Sequence, residues 1–141
     1  MKIRVRAWIR CGEWDENEDK PKFEMIDADS LAFEDYAPLS SLLEDKNDEA
    51  YYMASTGFKD KKGIEIFDGD IGYRLDLKKD KSEYPQLVKW DKENGCWNII
   101  DLANGSEEYD LASQIIWGFE IIGNKHQNED ILKPYLKKVA V

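Results

Sequence analysis

With 141 residues, 42% of them hydrophobic and 12% aromatic, the chain can bury a core and is short enough for one domain. A formal net charge of −10 argues against a protein that coats phosphate backbones. No apolar run is long enough for a membrane span, and charges interrupt the N-terminal apolar residues, so neither anchor nor signal peptide is expected and the expected location is cytoplasmic.

In chain order, Ile3, Val5, Ala7 and Ile9 alternate with Lys2, Arg4, Arg6, Trp8 and Arg10, the period-two pattern of a strand with one apolar and one basic face. The basic face reads as solvated, or covered by acidic chain, ahead of a nucleic-acid contact. From Glu13 to Glu49 there are 14 acidic residues against Lys20, Lys22 and Lys46, a net −11, which leaves the other 104 residues at +1. The stretch at about 13–49 therefore reads as an acidic insert. It is either a solvated loop region or a surface that engages a basic partner, with Glu13, Asp15, Glu16, Glu18, Asp19, Glu44, Asp45, Asp48 and Glu49 as the candidate contacts. Within it, Pro38 to Glu44 has proline in a first turn and Leu39, Leu42 and Leu43 at helical spacing, which predicts a short helix.

Lys61-Lys62-Gly63 predicts a turn, Ile64 to Phe67 a short strand, and Asp68-Gly69-Asp70 a second turn. Ile71, Tyr73, Leu75 and Leu77 then alternate with Gly72, Arg74, Asp76 and Lys78 as a half-buried strand. Gln86–Trp90 and Cys96–Ile100 are β-prone runs around Asn94-Gly95, the strongest hairpin signal in the chain. Ser106 to Leu111 is expected to form a helical turn capped by Ser106. Ile115 to Ile122, apolar on both faces, is expected to be a central or interface strand. Asn128 is the expected cap of a last short helix, whose first turn holds Glu129 and Asp130.

Several of these segments resemble the YopX-like proteins of bacteriophages and prophages. Ser55 to Ile71 is similar to the family segment "(Y/F)TGLKDKNGKEIYEGDIV", with Thr56, Gly57, Lys59, Asp60, Gly63, Glu65, Ile66, Gly69, Asp70 and Ile71 matching. Phe58, Lys62, Ile64, Phe67, Asp68 and Gly72 depart from it. Lys2 to Trp8 resembles a "KxRAW" opening, Leu87 to Gly95 a "VEWDEENGxF" hairpin, and Ile121 to Leu132 a "VIGNIYENPELL" ending. The resemblance implies a phage or prophage accessory protein in a bacterial host cell and supplies no biochemical activity.

Catalytic parts are missing from the sequence. His126 is the single histidine, and there is no Gly-x-Ser-x-Gly, phosphate loop, dinucleotide fingerprint or HExxH helix. Cys11 and Cys96 form no CxxC pair and read as reduced structural thiols. Glu65, Asp68 and Asp70 could offer oxygens to a divalent metal, but Asp-Gly-Asp is also what a tight turn requires, and no cofactor is expected. The aromatic residues Trp8, Trp90, Trp97, Trp117, Phe119, Tyr51, Tyr52 and Tyr73 read as core ahead of a base-stacking platform, because no clustered basic groove accompanies them.

The expected fold is mainly β, a small antiparallel barrel, open or SH3-like, with short helices. It forms a single domain over 1–141 with a β-rich core at 51–133. The expected function is a non-enzymatic protein-interaction module whose acidic surface binds a basic or nucleic-acid-binding host or phage protein, with self-association also expected. The alternative is a nucleic-acid-binding barrel.

Overall fold

A computed structural model describes residues 4–10, 23–27, 50–105 and 108–135. The expected helix at 38–44, Cys11, and the nine acidic residues named above as candidate contacts lie outside the described residues. The chain divides into two compact units, residues 1–55 and 56–141.

In the first unit, strand β1 (Val5–Arg10) pairs antiparallel with β2 (Phe23–Ile26) on one side and with the start of β3 (Ala50–Lys59) on the other. The predicted alternation of β1 holds: Val5 and Ala7 are buried with Met53 and Ala54 of β3, while Arg4 is exposed. On the opposite face, Trp8 stacks on Phe23 with ring centroids 5.8 Å apart. β2 falls inside the stretch expected to be an acidic loop insert, so for Phe23–Ile26 that expectation is corrected. Alternate residues of Phe-Glu-Met-Ile fit a strand face, and β1 offers them a ladder.

The second unit takes over β3 at Thr56 and adds β4 (Glu65–Phe67), which lies beside β3. Its main body is a five-stranded antiparallel sheet curled into a half-barrel. The strands are β5 (Asp70–Arg74), β6 (Gln86–Asp91), β7 (Cys96–Asp101), β8 (Glu108–Asp110) and β9 (Phe119–Asn124), in the order β8-β7-β6-β5-β9. Helix α1 (Leu111–Gln114), helix α2 (Glu129–Leu132) and a 3-10 turn (Lys133–Tyr135) complete it. The mainly β, antiparallel expectation therefore stands.

Both faces of the sheet are apolar. Ile71, Leu87, Ile100, Leu102 and Leu132 form one cluster, and Ile66, Val88, Ile99, Leu111 and Phe119 the other. Burying a side chain of this size stabilises by about 1.5–3 kcal/mol, so the two clusters carry the unit.

Four local expectations are corrected. The strand predicted to run to Leu77 ends at Arg74, because residues 75–81 fold back as an arm. Asp76 donates its N–H to the Asp80 carbonyl, and Leu75 bridges Lys81. Where Ser106 was expected to cap a helix, Glu108–Asp110 instead pairs with β7, and the helix starts at Leu111. Its cap is Asp110, whose carboxylate accepts from Ala112 N–H and Ser113 O–H. The apolar run Ile115–Ile122 is not one central strand. Ile116 and Trp117 leave α1 exposed, and β9 begins only at Phe119, next to β5 at the sheet's end. Asn128 does not cap α2 with its side chain; its Oδ1 accepts from Asn124 N–H instead.

The predicted hairpin forms as read. Asp91 closes the Lys92–Gly95 loop by accepting from the Glu93 and Asn94 amides and from Asn94 and Asn98 side chains. These bonds, the Asn94 side chain first, hold its carboxyl below the usual range despite partial desolvation. Among the described residues no helix is long and apolar enough to cross a membrane.

Candidate functional site

The family-like segment is a set of backbone locks. Thr56 is buried; its hydroxyl donates to the Ile66 carbonyl at 2.8 Å and accepts from Phe58 N–H, tying β3 to β4. Asp60 is also buried. Its Oδ1 accepts from Lys62 and Ile64 N–H, each at 2.9 Å, and closes a turn in which Gly63 takes φ +81°, the left-handed region that glycine tolerates best. Asp60 Oδ2 reaches across to accept from Ile121 N–H, and Lys61 N–H donates to the Phe119 carbonyl at 2.8 Å. This turn therefore caps the outer edge of β9, a ladder edge that would otherwise invite another strand. Asp70 Oδ2 accepts from Phe67 N–H at 2.8 Å across the second turn, and Gly69 N–H donates to the Val88 carbonyl.

Asp70 serves the turn: the residue is 1% exposed and its Oδ2 faces a backbone amide. Among the described residues no group of three His, Cys, Asp or Glu stands at metal-ligand spacing.

Above the turn, Lys61, Lys62 and Lys81 surround Glu120 at 3.4, 3.9 and 3.0 Å. Lys81 above all, with Lys61 behind it, lowers the Glu120 carboxyl from its ordinary value against the opposing pull of burial. A depressed folded-state value means that the contribution to stability is present above about pH 4.3, the unfolded glutamate value, and is lost as pH falls through the folded one. Glu120→Gln should therefore lower the urea midpoint at pH 7, and the gap to wild type should close toward pH 3. A gap independent of pH would remove the ion cluster as its cause.

The same unit carries an open groove of about 1040 Å³ between the arm at 74–84, the turn at 101–104 and the end of α1. The arm is held in place from α1: Gln114 Nε2 donates to the Leu75 and Gly118 carbonyls, and Lys79 Nζ donates to the Trp117 carbonyl at 2.6 Å. Leu77 at 75% and Trp117 at 42% exposure stand in the groove wall, with Ile116 at 73% nearby in sequence. Asp101, at its floor, accepts from the Ala103 and Asn104 amides and from Gln86.

A family model for the YopX protein matches residues 6–133, nearly the whole chain and all of the segment just described. The chain belongs to the YopX family. Among solved structures it is similar to protein EF1440 from Enterococcus faecalis, at 20% identity with a TM-score of 0.48, over 92% of this chain and 97% of that one. No curated protein matches it.

In this YopX chain, the structure gathers the family-like residues around two turns and one strand edge, with Lys59 and Gly57 exposed and Glu65 half-buried. His126 is half-buried beside Asn124, whose Oδ1 accepts its backbone N–H. Burial, with Asp91, Asp110 and Glu108 nearby, raises the Cys96 thiol above its ordinary value, which keeps it protonated and poorly nucleophilic. Among the described residues, the aromatic contacts lie within each unit, as with Trp8 on Phe23. Trp90 meets Trp97 edge-on at 5.0 Å on the hairpin, and Phe119 is fully buried. Sequence reasoning missed the groove, since Arg74, Tyr84, Asp101 and Trp117 lie on separate elements. The one local signal was Leu77 in a run that has no partner strand to bury it.

Proposed function

We propose that this protein is a non-enzymatic phage or prophage accessory protein that binds a basic protein, such as a nucleic-acid-binding host factor, through its acidic stretch. The observation that carries the reading is charge segregation: −11 within residues 13–49 against +1 over the rest of the chain. Such a field steers a cationic partner and repels nucleic acid. The family-like segment supports a module without catalysis, because the carboxylates of Asp60 and Asp70 hold backbone amides. The nucleic-acid alternative has less support, since Lys61, Lys62 and Lys81 converge on Glu120.

The test leaves β2 intact, because removing all of 13–49 would delete that strand. Glu13, Asp15, Glu16, Glu18 and Asp19 are changed together to their amides, and wild type and variant are used as bait in bacterial lysate. The expected result is a stoichiometric basic protein retained by wild type, eluted by salt, and lost from the variant. Equal retention by both, or retention of nucleic acid alone, would overturn the proposal.

A further inference from the structure

Arg74, the last residue of β5, lines the groove, and its guanidinium lies over the Tyr109 ring, 3.9 Å from the centroid. Among the described residues no carboxylate pairs with it. Its Nε is shielded from solvent and has no acceptor. Desolvating part of a cation without a partner is unfavourable, and a guanidinium held by an aromatic ring presents the planar fork that fits a carboxylate or phosphate.

Two of the groove's four carboxylates are engaged by neighbouring groups. Asp76 accepts from Lys78 and Asp80 N–H, and Asp101 from Ala103, Asn104 and Gln86. Arg74, with its Nε unmatched, therefore lines the groove. Its wall exposes the rings of Tyr84, at 40%, and Trp117, at 42%.

We propose that this groove binds a small aromatic anion, with a carboxylate or phosphate on the Arg74 guanidinium and its ring against the exposed aromatic wall. The groove also carries Asp76, Asp80, Glu83 and Asp101, so it selects one anionic group and rejects a chain of phosphates. The site is independent of the acidic stretch and survives if the partner reading above fails.

The experiment titrates benzoate and, separately, phenyl phosphate, each to about 10 mM, into the full-length 15N-labelled protein, following the Arg74 Nε–H and Trp117 indole N–H signals. Saturable movement of both signals with either probe is expected, and the stronger probe identifies carboxylate or phosphate. Arg74→Lys keeps the charge but not the fork and should weaken binding about tenfold, read at Trp117. Trp117→Ala, at an exposed position, should weaken it severalfold, read at Arg74, and serves if the first variant does not fold. No saturable movement, movement of Arg74 alone, or affinity unchanged in every folded variant overturns the proposal.

Discussion

Gly72→Ala should lower the melting temperature by roughly 10–20 °C, the effect of about 3 kcal/mol on a domain of this size. A Cβ at Gly72 would overlap the Glu120 carbonyl oxygen and come within 2.7 Å of two ring carbons of Phe119. Neither neighbour can yield. Glu120 lies in β9 and pairs with Tyr73 of β5, and Phe119 is fully buried in the core cluster. The ladder shifts register between Ile71 and Gly72, which brings the β9 backbone over the glycine. The family segment ends in valine where this chain has Gly72, so Gly72→Val, a family residue, should be worse than alanine here. A melting temperature within about 2 °C of wild type for Gly72→Ala would show that the bulge relaxes.

Asp60→Ala should destabilise by about 2–4 kcal/mol, because one carboxylate holds three backbone amides and a buried donor left unpaired costs about 1–3 kcal/mol. Its partners are Lys62, Ile64 and, 61 residues away, Ile121. Asp60→Asn keeps an acceptor for the local turn but turns a donor toward Ile121 or loses that bond, so a smaller loss, about 1–2 kcal/mol, is expected. Urea unfolding measures both, and hydrogen exchange should show faster exchange at Ile121 and Ile64 in the alanine variant. An unchanged midpoint with altered partner binding would make this segment a recognition surface; a lowered midpoint makes it a fold determinant.

The hairpin around Asn94-Gly95 and the turns at Lys61–Gly63 and Asp68–Asp70 were legible because their donors and acceptors lie within four residues of one another. β1 was legible through alternation that survives into the fold. β3 was not anticipated although it is ten residues long. Its burial does not alternate cleanly, since Met53 and Ala54 are both buried and Gly57 interrupts the run at φ +82°.

The misplaced elements share one cause. Ile115–Trp117 and Phe119–Ile122 look equally apolar in the chain, yet α1 ends with the Trp117 and Gly118 amides bonded to Gln114, and only the second run finds β5. Leu77 continues the alternation of β5, but the fold-back that pairs Leu75 with Lys81 leaves it without a neighbouring strand. The aspartates of the family segment were visible as turn formers. Which far strand Asp60 would clamp was not, nor was the groove, whose wall joins Arg74, Asp101 and Trp117 from three separate places in the chain. Short-range chemistry, with partners a few bonds apart, is written in neighbouring residues. Interior position, edge capping and the pairing or orphaning of Arg74 depend on which distant segments pack together, and that choice follows from burying both faces of one curled sheet at once.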